Sequence, residues 1–444
     1  MDNVLDLADQ ALFLGERATG TTSLVQCIWV YDRPVDIDGL KRFHAHLGRG
    51  RLARRIERSP LPFGRHRWVS PGEQPSLEIV ATPRPREEFD DWCTQQADKR
   101  PDAEHGPGWH LAVLPFTDGG AAVSLVITHC LSDGVGLCEA VADAASGRDA
   151  AEHWPVAASR RRWQAVREDA RQTARDTLDV GRALAAAARL ARAGRPGGGA
   201  AAPRPTPLID RSITLPAATF FIDADEWDAR AHALGGTSNA LLAGLAARLA
   251  QRVGRVAADG SVNVGMPVNE RTPGDTRANA VTNVDITIEP AHAMDLRAIR
   301  AAIKRALVRH QDVPDERWAL LPLVPLIPKR VFRRLISVAT GNATAVVSSN
   351  LGALDPAANR PDGTDADHFA MKSLYPGVTT ATMQRTNGVL ALLSGRAHGQ
   401  VFVSVLAYEP GADNSDNILR QHISGMLSDF SLTAMTGWRT VSRV

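Results

Sequence analysis

The stretch AAVSLVITHCLSDGVG, residues 121–136, joins a strand pattern, a histidine and the start of a helix in one short segment. Side chains in its first half alternate between two faces, which is typical of a β-strand. One face carries Val123, Leu125 and Ile127, and the other carries Ser124, Val126 and Thr128. His129 follows with the parity of Ile127, where the strand is predicted to end. From Gly134 a helix is predicted, because its apolar residues recur at helical spacing. They are Leu137, Ala140, Val141 and Ala144.

This order suits a general base. A histidine at a strand end can project into a cleft while the sheet holds its backbone, and imidazoles accept protons near neutral pH. Asp133 is expected to turn back and brace the loop, by pairing with an arginine from elsewhere in the chain rather than by contacting His129. Gly134 is expected to supply the positive φ that such a reversal often needs.

Other interpretations of His129 stay open. A histidine before a turn is often structural. The spacing of His129 and Asp133 could also hold a metal ion, but no third ligand stands nearby, so no metal site is predicted. A serine hydrolase is disfavoured because no GxSxG motif occurs.

The first half of the chain mixes strand and helix patterns around this segment. Strands are predicted at 23–31, 63–70 and 77–81, and a hairpin at 109–116 and 121–128 with its turn at 118–120. Helices are predicted at 35–47, 87–99 and 157–193. Glycine and proline then dominate residues 193–207, which predicts a flexible linker.

The second half has a similar mixture. Strands are predicted at 217–222, 261–267, 284–289, 346–350, 388–393 and 400–408. Helices are predicted at 224–233, 238–253, 296–310 and 417–430, with an apolar stripe of Leu241, Leu242, Leu245 and Leu249 in the second of them. The sequence therefore predicts an α/β protein with an N-terminal subdomain at 1–192, the linker at 193–207 and a C-terminal subdomain at 208–444.

Composition limits the function classes. The 444 residues are 44% hydrophobic and 23% charged, as in soluble globular proteins, and the length suggests two cores. A formal net charge of +2 gives no reason to expect a nucleic-acid partner. The four cysteines form no CxxC pair and are expected to be buried free thiols: Cys27, Cys93, Cys130 and Cys138. The start of the chain lacks a signal-peptide pattern and no long apolar run occurs, so a cytoplasmic location is expected.

The segment THCLSDG, residues 128–134, resembles the HHxxxDG motif of the CoA-dependent acyltransferase superfamily. That group includes chloramphenicol acetyltransferase, nonribosomal peptide condensation domains and bacterial wax ester synthase/diacylglycerol acyltransferases. The second histidine of the motif is the base in this group, and it aligns with His129. Thr128 replaces the first histidine.

Further segments resemble the wax ester synthase branch, in the same order along the chain: 11–32, 51–59, 106–114, 235–250, 262–271 and 345–356. The fourth includes Asn239 of an Asn-Asp pair, although Ala240 replaces the aspartate. The fifth ends with Arg271, the arginine suggested as the partner of Asp133, and the sixth contains an SNxxG pattern. Departures at Thr128, Gly108 and Ala240 suggest a divergent branch that acylates a specialised metabolite or a glycolipid.

The resemblance implies two chloramphenicol-acetyltransferase-like subdomains in a V, with His129 near the middle of a central tunnel. It also implies direct acyl transfer from acyl-CoA or an acyl-carrier protein to a hydroxyl or amine, with no other cofactor. Ser348, Ser349 and Asn350 are candidates for stabilising the oxyanion, and Asn239 is a further candidate for contacting substrate.

Two other functions stay open: a carrier-protein-dependent condensation enzyme that forms amides or esters, and a non-catalytic family member that binds a lipid or a partner. Residues 317–335 are apolar first and basic afterwards, which suggests peripheral contact with a membrane or lipid surface. The competing interpretation is a buried stretch that covers the second subdomain, since Pro322, Pro325 and Pro328 interrupt any continuous amphipathic helix.

Overall fold

The computed structural model describes residues 3–148, 153–192, 210–272, 274–312, 318–328 and 346–438. The helices are α1 (Leu7–Thr19), α2 (Ile37–Leu47), α3 (Phe89–Ala97), α4 (Gly134–Ala145), α5 (Arg162–Arg192), α6 (Ala224–Ala233), α7 (Ser238–Arg252), α8 (Leu296–Asp312), α9 (Thr380–Arg385) and α10 (Asp416–Asp429). Short 3-10 helices occupy Arg86–Glu88, Pro290–His292, Trp318–Leu326 and Pro356–Asn359.

Most of the strands belong to two sheets. They are β1 (Leu24–Tyr31), β2 (Arg55–Glu57), β3 (Arg67–Val69), β4 (Glu78–Ile79), β5 (Trp109–Pro115), β6 (Ala121–Thr128), β7 (Ala217–Asp223), β8 (Val262–Asn269), β9 (Val281–Ile288), β10 (Val346–Ala353), β11 (His368–Leu374), β12 (Val389–Ala397), β13 (Gln400–Tyr408) and β14 (Met435–Thr436). The first sheet has the order β11-β1-β6-β5-β4, and the second has the order β14-β7-β13-β12-β10-β8-β9. Strands β2 and β3 form a separate pair.

Strand β6 lies in the middle of the first sheet and is buried along its whole length. Its two faces serve different cores, because alternate side chains point to opposite sides of a sheet. Val123, Leu125 and Ile127 belong to the large core that also includes α4, whereas Val126 packs with Leu24 and Ala97 on the other side. Packing on both faces therefore fixes this strand, and with it the position of His129, the residue that follows.

The second sheet packs against helices of the second half. The stripe predicted on α7 is buried, together with apolar residues of α8 and α10, in a core of its own. Helix α7 lies over β8, β10 and β12, so this part of the second sheet is covered on one face.

Strand β11 connects the two halves, since it lies in the second half of the sequence but pairs with β1 of the first sheet. The pairing is antiparallel and runs from Leu24 opposite Leu374 to Val30 opposite His368. The sequence did not predict β11, and it did not predict α1, α9, β2 or β14. The division at 193–207 stays a prediction, because that linker lies outside the described residues, and the V arrangement also stays a prediction.

Most other elements agree with prediction to within a few residues. The hairpin of β5 and β6 is present, with seven paired positions from Trp109 opposite Ile127 to Pro115 opposite Ala121. All four cysteines are free; three are buried and Cys138 is partly exposed. No helix among the described residues has the length and apolar character of a membrane span.

The expectation that residues 317–335 cover the second subdomain is wrong for the part that is described. Trp318–Leu326 forms a 3-10 helix, and this helix packs against α1 and α5 of the first half. Pro322 and Pro325 lie inside it and prevent a regular α-helix. The basic residues at 329–335 lie outside the described residues.

Candidate active site

His129 is held through its backbone at the end of β6. Its N–H donates to the Ser23 carbonyl (2.9 Å), and its carbonyl accepts from Asn279 Nδ2 (3.2 Å). The ring is partly buried, and its Nδ1 has no hydrogen-bond partner among the described residues. The sheet and Asn279 thus orient the residue without occupying that nitrogen.

Asp133 starts helix α4 and also pairs with Arg271. One carboxylate oxygen accepts from the N–H of Gly136 (2.7 Å), which is an N-cap interaction. The other accepts from the Ala280 N–H (2.8 Å) and from Arg271 Nη2 (2.7 Å). Both charged side chains are only 3% exposed. The predicted pairing of Asp133 with an arginine from elsewhere, Arg271, is therefore present, and Asp133 does not need to contact His129 to shape the loop.

Gly134 does not have the positive φ that the sequence suggested. It is the first residue of α4, and it is absent from the described residues with positive φ. A Cβ at this position would lie 2.8 Å from Leu351 Cδ2 of β10. Glycine at this position lets the first turn of α4 lie close to the Leu351 side chain of the second half, and it does not serve a reversed backbone.

A short strap, residues 277–280, connects the second half to the loop around His129. Asp9 of α1 accepts hydrogen bonds from the N–H of Ala278 (2.9 Å), the N–H of Asn279 (2.8 Å) and Asn279 Nδ2 (3.0 Å). Asp9 is 1% exposed, and this burial raises the pKa of its carboxyl to about 6. Asn279 thus joins a buried carboxylate to the backbone of His129.

Glu16 lies on the other side of the same loop. Its carboxylate accepts from the Ser23 N–H (2.8 Å) and from the Cys130 thiol. Burial raises the pKa of Glu16 to about 7, and it raises the pKa of Cys130 well above its usual range. The sequence did not predict Asp9, Glu16 or Asn279 as site residues. For Asp9 and Glu16 the available signal was a polar residue inside an otherwise apolar helical pattern, and Asn279 lies in no such pattern.

A cavity of about 240 Å³ opens beside His129 and is lined from both halves. Val25, His129, Gly134 and Val135 contribute from the first half, and most of the other wall residues belong to β7, β10, β12 and β13. Polar groups on the wall include Ser349, Asn350, Lys372, Tyr375 and the Thr219–Ser404 hydroxyl pair (2.9 Å). Such a mostly apolar chamber with few polar groups is typical of a small-molecule site.

The structure separates the predicted oxyanion candidates. Ser349 and Asn350 lie on the cavity wall, whereas Ser348 does not line it. Ser348 is 1% exposed and points to the opposite face of β10, because successive side chains of a strand alternate. Asn239 is exposed and accepts a hydrogen bond from Asn350 Nδ2 (2.5 Å), so it contacts the wall rather than forming it.

The departures at Thr128 and Ala240 occupy buried positions. Thr128 is 1% exposed, and its hydroxyl accepts from the Cys130 N–H (3.3 Å) within the loop. Ala240 is fully buried in the apolar core of the second half. Among the described residues no group of three or more His, Cys, Asp or Glu is arranged to hold a metal ion.

Comparison with solved structures defines the class of fold: the chain has the fold of the condensation-domain-like acyltransferases. The first condensation domain of the CDA synthetase matches with a TM-score of 0.58 at 14% identity, over 98% of this chain and 99% of that one. The wax ester synthase/diacylglycerol acyltransferase from Marinobacter aquaeolei VT8 matches with a TM-score of 0.54 at 16% identity, over 97% and 100%.

Polyketide synthase associated protein 5 from Mycobacterium tuberculosis also matches, with a TM-score of 0.52 at 13% identity, over 97% and 98%. No family model matches the sequence, and no curated protein is similar to it in sequence. At identities this low, the structural similarity shows a shared fold alone, and that fold covers nearly the whole chain.

Proposed function

We propose that this protein is an acyltransferase that moves an acyl group from an acyl-CoA thioester to a hydroxyl acceptor, with His129 as the general base. The observation that carries this proposal is the place of His129. It stands at the end of a fully buried strand, on the wall of an apolar cavity lined from both halves. The buried Asp133–Arg271 pair and the strap at 277–280 hold the surrounding loop.

The proposed reaction is a direct transfer. The imidazole of His129 takes the proton of the acceptor hydroxyl as its oxygen bonds to the thioester carbonyl carbon. Ser349 or Asn350 stabilises the negative charge on the carbonyl oxygen of the tetrahedral intermediate. The carbon–sulfur bond then breaks, and the proton moves from the imidazolium to the leaving thiolate. The products are an ester and a free thiol.

The test is release of free thiol from acyl-CoAs of increasing chain length. Long-chain alcohols, diacylglycerol and amines serve as acceptors, and the same acyl groups are also offered on a carrier protein. Wild type is compared with His129→Ala and with His232→Ala, a control histidine exposed on α6. A positioned base contributes roughly 10²- to 10⁴-fold, so His129→Ala should lose at least that much turnover while the control does not.

The arms of this experiment separate the alternatives. Turnover with the carrier-bound donor alone, and amide products, would replace the acyl-CoA proposal by a condensation enzyme. Acceptor-dependent turnover that His129→Ala retains would refute the role of His129 as the base. Saturable binding of acyl-CoA or lipid without any turnover would support a non-catalytic binding protein.

A further inference from the structure

The outer face of α5, defined by Trp163, Arg167, Arg171, Arg175 and Leu178, has an unusual exposure pattern. Trp163 is 84% exposed and Leu178 is 73% exposed. Together with Val156 (71%), just before the helix, and Leu184 (57%), they are the four most exposed large apolar residues among those described. Single exposed apolar residues are ordinary, but this concentration on one segment indicates an interaction surface.

The five residues share one side of the helix. Positions 163, 167, 171 and 175 are each four apart, and 178 follows three later, which is the spacing of neighbours on a helix surface. The opposite side faces the protein, with Ala165, Asp169, Ala183 and Ala186 buried. At 1.5 Å per residue, Trp163 and Leu178 stand roughly 22 Å apart, so this face is a long ridge.

The charged residues of α5 differ in whether they form ion pairs. Its acidic residues are engaged: Asp169 with Arg67 and Arg160, Glu168 with Arg160, Asp176 with Arg65, and Asp179 with Arg182. Arg167, Arg171 and Arg175 are exposed and form no ion pair with any described residue. Although the whole chain has a formal net charge of only +2, this ridge is strongly cationic.

We propose that the outer face of α5 binds the surface of an anionic lipid bilayer. Arginines attract the phospholipid headgroups, and Trp163 and Leu178 insert at the boundary with the acyl chains. A protein partner would need a separate pocket for each of these widely spaced apolar side chains. A bilayer accepts separate side chains anywhere along a ridge. This interaction does not depend on the chemistry proposed for His129.

The experiment is co-sedimentation of the full chain with vesicles at low and at physiological salt. Phosphatidylcholine vesicles are compared with phosphatidylcholine/phosphatidylglycerol vesicles. The chain should bind the anionic vesicles, and salt should weaken this binding. Each arginine near an anionic surface contributes roughly fivefold to binding, so the triple variant R167Q/R171Q/R175Q should bind about 100-fold more weakly. The double variant W163S/L178S should also bind more weakly, and at both salt concentrations.

The matched control removes the same charge elsewhere, with R297Q/R300Q/R305Q on α8, whose arginines are also exposed. This control should bind as wild type does, and all variants should keep the wild-type melting temperature within a few degrees. Equal loss in the α8 control would overturn the proposal, because binding would then follow net charge. Absence of binding to anionic vesicles at low salt, or binding to double-stranded DNA in preference to vesicles, would also overturn it.

Discussion

At the scale of single residues, His129 has both of its backbone hydrogen-bonding groups engaged, and the residue lines the cavity. Asn279 is the residue that makes this possible, because its amide donates to both Asp9 and the His129 carbonyl. Asn279 is therefore a positioning residue, which acts on the proposed reaction only by holding His129 in place. Small displacements of a base can lower turnover by as much as about 100-fold.

We therefore predict that Asn279→Ala lowers kcat by roughly 10- to 100-fold and leaves KM for the thioester nearly unchanged. Steady-state kinetics on the best donor from the thiol-release panel provides the measurement. Asn263→Ala is the control, since Asn263 bonds the exposed Thr287 on the second sheet and lies away from the strap. A rise in KM with kcat unchanged would mean that Asn279 contacts substrate instead.

Glu16 provides a prediction about pH. Burial raises the pKa of its carboxyl from 4.5 to about 7, so the folded state binds a proton more readily than the unfolded state. Its contribution to stability is therefore greatest at low pH and is lost as the pH rises through about 7. The free energy of unfolding of Glu16→Gln, relative to that of wild type, should increase by about 2 kcal/mol between pH 5 and pH 8. Urea unfolding at the two pH values measures this, and a difference that does not change with pH would contradict it.

At the scale of elements, the first turn of α4 is packed tightly against the ion pair. A Cβ on Gly136 would lie 2.7 Å from Ser132 Oγ and 2.8 Å from Arg271 Nη2. Gly181 of α5 is a useful contrast, because nothing lies within 4 Å of its Cβ position. The two glycines therefore occupy helices for different reasons.

We predict opposite effects of alanine at these two sites. Gly136→Ala should destabilise the protein by roughly 1 to 3 kcal/mol, since it overpacks the turn around a buried charge. Gly181→Ala should stabilise it by about 0.5 to 1 kcal/mol, because glycine is a poor helix former at an exposed position. Chemical denaturation of both variants is the measurement. A neutral Gly136→Ala would show that Arg271 can move away without cost.

Sequence predicts elements well where the pattern is local. The hairpin of β5 and β6 and the apolar stripe of α7 have clear periodicity, and both are present. Strand β11 was missed because its segment, HFAMKSL, lacks a regular alternation and pairs with a strand far away in the sequence. For the site, the motif indicated His129 and Asp133. Asp9 and Asn279 could not be predicted, since their roles depend on a contact 270 residues apart.

At the scale of the whole molecule, the two halves share one sheet, several ion pairs and the strap at 277–280. Strand β1, LVQCIWVY, is flanked by β6 on one side and by β11 on the other, and all of its residues are buried. Without β11 this apolar strand would become an unprotected sheet edge, which is a recognised cause of aggregation.

We accordingly predict that residues 1–192 expressed alone are insoluble or unfolded, and that co-expression with residues 208–444 recovers soluble protein. Soluble yield and the cooperativity of thermal unfolding by circular dichroism are the measurements. A monomeric fragment 1–192 with a sharp melting transition would refute the dependence of the first sheet on β11.

The late position of β11 also affects how the chain folds during translation. About 350 residues separate Leu24 from its partner Leu374. At a synthesis rate of roughly 5–20 residues per second, β1 leaves the ribosome some 20 to 70 seconds before its neighbour exists. For that interval an eight-residue, largely apolar strand has at least one open edge, which makes the nascent chain a natural client for chaperones that bind extended hydrophobic segments.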